Sequence, residues 1–586
     1  MERKEEIIYM KIMSLMGVIV MILTLAGCTS GKQPVNSNLE NSSKADTVSD
    51  NSTSSGNSSV KDTESYYDYD PSGNDGWSDN LTNSNNSNII DDIPEVKELK
   101  SVTLTLYKEE GNTYTYGITW QSDVQLTKPF VEILPANETD WAKARKIIGT
   151  SDNSVLHKTF KIKDGWDYDT ISSAFTAAGG KGAWYYSGIT MSHNIINIYS
   201  NKLIIKGLTA GQSYKYRVGD AHYKRYSSKG TFTAYNKAGN DFKFIYMADS
   251  QQSFASSNVN AWRNTLNAAL ASIKDAAFIA IGGDLINWNA IEAQWEGLLD
   301  YNKNYIMNIP LMPAAGNHEI NMTASGTGIE FGDFNSHFNL PYNSEYDNKI
   351  NSVGSFKANA KPQQFANGAT GTYYSYDYKK VHFVVLNTND IYISHRDRTD
   401  GKYVLGDAQM AWLKDDLADA KAREKSGELD FTIVCMHAGL YTTGAAGLGK
   451  DYKETCDLYE QLQSVFADNN VDLVMSGHDH VYSRTKVLDK NGVVSTVGGV
   501  IYMSGGVAGV NSPGVAYFAK SDTINEGASK FNTADKYAYY AKTAYTNCWT
   551  EISVTSSGIM VNTYRKDSSA AIDTFMITKN NKTVIS

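Results

Sequence analysis

From residue 96 the chain alternates short apolar runs with turn residues, and near residue 240 that pattern changes. In the first stretch Val102-Thr-Leu-Thr-Leu-Tyr107, Tyr116-Gly-Ile-Thr-Trp120 and Ile195-Ile-Asn-Ile-Tyr199 carry the two-residue period of half-buried strands. They predict an all-β sandwich over 96–236. A stretch from Asp140 to Ser192, with Trp141, Trp166 and Trp184, exceeds what such a domain needs and reads as an insertion able to overhang a neighbouring site. After Asp241 apolar runs are separated by stretches with helical spacing. Trp262, Leu266, Ala269, Leu270 and Ile273 share one face of a helix predicted over Val259–Asp275, capped by Asn258. Ile291, Trp295, Leu298 and Leu299 repeat the pattern after Asn289, as do Met410, Leu413 and Leu417 after Asp407. Strands alternating with amphipathic helices predict an α/β domain over 240–580.

Before residue 96 the pattern differs in kind. Lys11 precedes an uncharged apolar run, Ile12–Leu25, that ends in Ala26, Gly27 and Cys28. The run is too short for a membrane span and its small-residue ending reads as a secretion signal over 1–27. A signal opening on Met-Lys would start at Met10. Leu25-Ala26-Gly27-Cys28 resembles the bacterial lipobox, in which the signal is cut before the cysteine and the thiol is acylated. That resemblance implies an exported protein, lipid-anchored through Cys28 to the outer face of a bacterial membrane.

Residues 28–95 are rich in Ser, Asn, Asp, Thr and Gly, too polar to offset the entropy of ordering, and read as a disordered acidic tether. The net charge of −10 belongs to this tether, whose twelve acidic residues and three lysines leave −1 for everything from Val96 onward. A nearly neutral head has no basic footprint, which argues against a nucleic-acid polymer as partner. At 586 residues and 41% hydrophobic the chain has room for two folded domains. Cys435, Cys456 and Cys548 are too few for a disulfide framework; one pair is open, and Cys435 reads as a core residue. The oligomeric state is not legible.

The chemistry lies where the strands end. Phe242–Ala248 runs into Asp249, Ala277–Gly283 into Asp284, and Ile309–Gly316 into Asn317, His318 and Glu319. Phe431–Met436 ends at His437, and Val471–Gly477 at His478, Asp479 and His480. Ligands of α/β sheets collect beyond the carboxyl ends of strands, so side chains spread over more than two hundred positions are expected to converge. Gly283, Gly316 and Gly477 beside them allow sharp turns and close backbone approach. Two aspartates, an amide and three histidines are hard-to-borderline donors suited to Fe, Mn or Zn rather than calcium.

The order Asp249, Gly283-Asp284, Gly316-Asn-His-Glu319, His437, Gly477-His-Asp-His480 resembles the calcineurin-like metallophosphoesterase superfamily. With the β-sandwich in front it is similar to the purple acid phosphatases. Leu203–Val218 resembles the late strands of a fibronectin type III-like domain, with Trp120 as core tryptophan and Tyr214 as tyrosine-corner residue. The resemblance implies an α/β, mixed-sheet βα sandwich behind an immunoglobulin/fibronectin III-like sandwich, and two metal ions. Asp249 and His480 would hold the first metal, Asp284 would bridge, and Asn317, His437 and His478 would hold the second. His318 would protonate the leaving oxygen or support Asn317, and Asp479 would orient His478 or His480. Two positions depart from the family. Purple members have a tyrosinate three residues after the bridging aspartate, where this chain has Asn287, so no purple colour is expected. Others have a histidine two residues after the first aspartate, where this chain has Gln251. Gln251 and Asn287 are therefore metal ligands or supports of ligands.

The implied reaction is hydrolysis of a small phosphate monoester by metal-activated hydroxide. The same residues serve phosphodiester, nucleotide or pyrophosphate hydrolysis, and a surface-binding lipoprotein with a vestigial metal site is the alternative from another class. Tyr482 and Arg484 either face substrate or pack within a strand.

Overall fold

Leu104, Leu106, Ile118 and Trp120 alternate with Thr103, Thr105, Thr119 and Gln121, yet all eight are buried. Both faces of this sheet are therefore covered. In the computed structural model, residues 67–68, 99–160, 195–252, 260–287, 292–319, 321–322, 329–330, 332–341, 372–441, 452–496, 498–509, 538–539, 547–579 and 584–585 are described. Cys28, the signal over 1–27 and the tether over 28–95, apart from Tyr67 and Asp68, lie outside them. So does residue stretch 161–194.

The N-terminal strands form two sheets. One orders Leu99–Glu110, Thr113–Ser122, Ile195–Ile205 and Ser154–Phe160. The other orders Tyr67–Asp68, Arg145–Ile148, Pro129–Pro135, Ser213–Asp220 and Gly230–Thr233, with Arg225–Tyr226 against Ser213–Asp220. Trp120 is fully buried in the core, and the Tyr214 hydroxyl accepts the Thr209 N–H at 2.9 Å, closing the turn before its own strand. The expected insertion from Asp140 to Ser192 is corrected over its first part: Arg145–Ile148 and Ser154–Phe160 are strands of the two sheets. They are short and separated by only a 3-10 turn, Ser151–Asn153, so their alternation is too brief to read as strand.

Behind them lie two seven-stranded mixed sheets. The first has a parallel centre of Phe242–Met247, Ile279–Ile281 and Leu311–Pro313, extended antiparallel by Cys548–Thr555, Gly558–Arg565, Ala571–Thr578 and Val584–Ile585. The second has a parallel centre of Val381–Val385, Phe431–Cys435, Leu473–Ser476 and Ile501–Gly505, flanked antiparallel by Tyr374–Tyr378 and Tyr482–Thr485, the latter pairing with Ala538–Tyr539. Inward-facing aromatics join the sheets: Phe244 and Phe278 each meet Phe383 edge-on at 5.3 Å between ring centroids. Three expected helices are present as Ala261–Ser272, Glu292–Leu298 and Asp407–Ser426, burying Trp262, Leu266, Trp295, Leu298, Leu413 and Leu417. The first begins after Asn260, whose side chain makes no capping hydrogen bond; Asn258 lies outside the described residues.

Cys435, Cys456 and Cys548 are free thiols, and burial pushes Cys435 and Cys548 up to about 12, which keeps them protonated and inert. Among the described residues no helix is long and apolar enough to cross a membrane.

Candidate metal centre

Five of the seven parallel strands stop a few residues short of a candidate ligand, and these side chains meet where the two sheets share a carboxyl-terminal edge. Asp249, Asp284 and Asn317 follow strands ending at Met247, Ile281 and Pro313; His437 and His478 follow strands ending at Cys435 and Ser476. To aim them at one point the backbone enters the left-handed region at Asp249 (φ 54°), Gln251 (36°), Asp284 (51°), His478 (72°) and His480 (56°). These are five of the nine such non-glycine residues among the described residues, so the strain is concentrated here rather than scattered over turns. The turns also need glycine. A Cβ on Gly316 would lie 2.2 Å from the Asp284 amide nitrogen and Oδ1, and one on Gly477 would lie 2.5 Å from Asp249 Oδ2.

Two groups of ligand atoms result, sharing Asp284. In one, Asp284, His437 and His478 bring their atoms within 4.8 Å of one another; in the other, Asp249, Asp284 and His480 do the same. Asn317 completes the first: its Oδ1 is 3.0 Å from His437 Nε2 and 2.9 Å from His478 Nδ1, while Asp284 Oδ1 is 3.2 Å from His437 Nε2. In the second, His480 Nε2 is 3.4 Å from Asp249 Oδ1. Asp249, Asp284 and His437 are buried, whereas Asn317, His478 and His480 are half-buried, so the carboxylates form a floor under a rim open to solvent.

The electrostatics call for cations. Burial by itself raises Asp284, but the His437 and His318 rings outweigh it and hold the carboxyl well below its usual range. Burial opposes the charged form of His437, yet Asp284 beside it raises the ring to about 10; Asp249 likewise raises His480 against burial. Two buried carboxylates among imidazoles need positive charge between them, which protons supply in the absence of metal and divalent ions supply by displacing them. Carboxylate, amide oxygen and imidazole nitrogen converging in two groups around one shared aspartate fit a pair of Fe, Mn or Zn ions. His437 is also oriented from behind, its Nδ1–H donating to the Gly282 carbonyl at 2.8 Å.

The remaining residues singled out by sequence divide. His318 stands at the rim, Nε2 3.8 Å from Asp284 Oδ2 and its side chain 20% exposed. Its Nδ1–H donates to the Asn287 carbonyl at 2.5 Å, which fixes the tautomer because a carbonyl can only accept. Asn287 thus contributes through its backbone. Gln251 places Nε2 3.3 Å from Asp284 Oδ2, supporting the shared carboxylate by donation. Asp479 makes a tight backbone turn, its N–H on the Gly477 carbonyl at 2.9 Å. Tyr482 and Arg484 are buried, both bound to Asp573 at 2.7 Å, and belong to the strand packing.

Sequence reasoning assigned no role to Glu319. Fully buried, it accepts four backbone N–H groups: Gly316 at 2.7 Å and Asp284 at 2.9 Å on Oε2, Leu285 at 2.8 Å and Ile286 at 3.2 Å on Oε1. It therefore ties the loop bearing Asp284 to the loop bearing Asn317. Burial and the neighbouring Asp284 push its acid up, against the pull of the Gly316 and Ile286 N–H groups.

Residues 218–482 match the family model described as Calcineurin-like phosphoesterase. An uncharacterised protein of Mycobacterium tuberculosis is 28% identical over 217 residues, 36% of this chain and 35% of its own length. Purple acid phosphatase 21 of Arabidopsis thaliana is 27% identical over 213 residues, 36% of this chain and 40% of its own. The chain thus spans little more than a third of the length of these curated relatives. A purple acid phosphatase from yellow lupin (Lupinus luteus) seeds superposes with a TM-score of 0.55 at 18% identity, over 82% of this chain and 74% of that one, a likeness of fold. The matched stretch contains Asp249, Asp284, Asn317, His318, His437, His478 and His480, so both ligand groups fall within the part of the chain that is similar to calcineurin-like phosphoesterases.

Proposed function

We propose that the protein hydrolyses small phosphate monoesters outside the cytoplasm. The observation that carries the reading is the pair of ligand groups sharing Asp284 with His318 beside them. Asp249, Asp284 and His480 would hold one metal ion, and Asp284, Asn317, His437 and His478 the other. When bound, such ions lower the pKa of water and neutralise charge on phosphoryl oxygens. The chain's own residues do the rest. The buried carboxylate floor keeps solvent from one side of the site, and the open rim admits a phosphoryl group. Asn287 accepts the His318 Nδ1–H and leaves Nε2 turned toward the site; the doubly protonated ring can pass its Nε2 proton to the leaving oxygen and remain as the neutral Nδ1–H tautomer. The names of the Arabidopsis relatives favour monoesters over diesters as first substrates to try.

The lipobox-like Cys28 and the acidic tether support attachment to the outer face of a bacterial membrane. Labelling with a palmitate analogue, lost in Cys28→Ala, would test that location.

The activity is tested with metal analysis and a panel of monoesters, diesters, nucleotides and pyrophosphate, comparing wild type with Asp284→Asn. We expect about two metal ions per chain and monoester turnover in wild type, both strongly reduced in the variant. Equally poor turnover by both proteins, with neither holding metal, would establish the surface-binding alternative instead.

A further inference from the structure

Helix Gly332–His337 ends, like any helix, with carbonyls that have no partner within it. The donors that satisfy this end come from the β-sandwich. Gln121 Nε2 and Ser200 Oγ each donate to the Ser336 carbonyl at 2.6 Å, Thr103 Oγ1 to His337 at 2.7 Å, Lys202 Nζ to Phe338 at 2.5 Å, and Thr105 Oγ1 to Asn339. Asn339 Nδ2 donates back to the Leu203 carbonyl at 2.9 Å. Four successive carbonyls are thus gripped by one sheet, which explains why its polar face is buried.

The grip continues inward. The His337 ring, fully buried, stacks on Trp295 with centroids 4.5 Å apart and planes 10° from parallel, and its Nε2 lies 3.4 Å from the Glu292 carboxylate. Both partners belong to helix Glu292–Leu298, which the same sandwich strand also holds through the Lys100–Glu296 ion pair. One residue of that helix, Gln294, is fully buried and accepts the Asn287 N–H at 3.0 Å, sharing it with the Gln252 carbonyl at 3.0 Å. The Asn287 carbonyl in turn accepts the His318 Nδ1–H.

We infer that Gln294 is a positioning residue for His318, and that the sandwich, through helices Gly332–His337 and Glu292–Leu298, is a working part of the catalytic site rather than a separable binding module. The inference rests on the phosphoesterase reading above. Its signature is leaving-group dependence. A 4-nitrophenolate departs without a proton, whereas the alkoxide of glycerol phosphate needs one, so at unchanged metal content a displaced His318 slows the second ester more than the first.

The test uses the full chain with Gln294→Met, and with Thr103→Val at the sandwich end, both checked for wild-type circular dichroism. For Gln294→Met we expect kcat on glycerol phosphate to fall about tenfold or more, kcat on 4-nitrophenyl phosphate to fall less than about twofold, and KM to hold for both. Thr103→Val should show the same asymmetry with a smaller loss, and decides the matter if Gln294→Met does not fold. Equal losses on the two esters, or none, in variants of an active wild type would overturn the inference and leave the phosphoesterase reading standing. A wild type inactive on both esters would instead overturn that reading, and the role of Gln294 with it.

Discussion

Replacing Glu319 by glutamine probes the metal centre most directly, because the side chain keeps its shape while it loses one acceptor oxygen and its charge. Each carboxylate oxygen takes two backbone N–H groups, from Gly316 and Asp284 on one side and from Leu285 and Ile286 on the other. An amide keeps one acceptor oxygen and turns a donor NH₂ toward the other pair. Two buried N–H groups then lose their partner, at about 1–3 kcal/mol each, or about 2–6 kcal/mol together. The substitution also removes repulsion between Glu319 and Asp284, which draws the net toward the low end of that range. Function should suffer more than stability. The freed loops carry Asp284 and Asn317, and a displacement of about 1 Å at reacting groups costs about a hundredfold in rate. We therefore expect Glu319→Gln to lower the denaturation midpoint, to reduce bound metal, and to cut kcat/KM by about two orders of magnitude. A variant with unchanged metal content and turnover would refute the claim that Glu319 organises the two loops.

Other perturbations separate the centre from its scaffold. His382 is buried between Asp377 at 2.7 Å and Asp416 at 3.0 Å; burial opposes its charge, but the carboxylates raise it to about 9. A folded pKa above the unfolded one gives stability that is complete below about 6.5 and lost as pH rises through 9, about 3 kcal/mol in all. Urea unfolding between pH 6 and 10 should show that decline and His382→Gln should flatten it; an equal slope in both proteins would count against the assignment. Asp573→Ala strands the buried Arg484 guanidinium and should cost about 3–5 kcal/mol, while the folded fraction keeps its turnover per bound metal. Gln251→His would turn a donor to Asp284 into an imidazole ligand, so metal at the Asp249–His480 side should survive longer dialysis; identical metal loss would remove Gln251 from that side. Because Asn287 contributes a backbone carbonyl to His318, the active protein should be colourless, and a strong visible charge-transfer band would show a phenolate ligand supplied from elsewhere.

What could be read in advance follows from where the information is held. Asp249, Asp284, Asn317, His437, His478 and His480 announce themselves because each ends an apolar run, and strand ends converge by the topology of parallel sheets. The supporting set does not, since it acts through the backbone. Glu319 binds N–H groups of Asp284, Leu285, Ile286 and Gly316, and the useful atom of Asn287 is its carbonyl. No side-chain pattern encodes such contacts; the only trace is that Glu319 closes the Gly316-Asn-His-Glu motif. Thr103, Thr105 and Gln121 were illegible for another reason. Their alternation marks a water-facing side, and only the docking of helix Gly332–His337 turns that side into an interface.

The same distinction accounts for the strain at the centre. A non-glycine residue in the left-handed region costs about 1–2 kcal/mol, and Asp249, Asp284, His478 and His480 all occupy it. Glycine would relieve each position but delete the ligand, so the cost comes with having side chains there at all. It must be met by contacts that do not depend on metal, and these are the backbone contacts just named. Glu319 pins the Asp284 turn, and the Asp249 carboxylate takes the His478 N–H with both oxygens at 3.0 Å. The turns that present the ligands are therefore braced by protein contacts, Glu319 at one and Asp249 at the other, as well as by any metal they would bind.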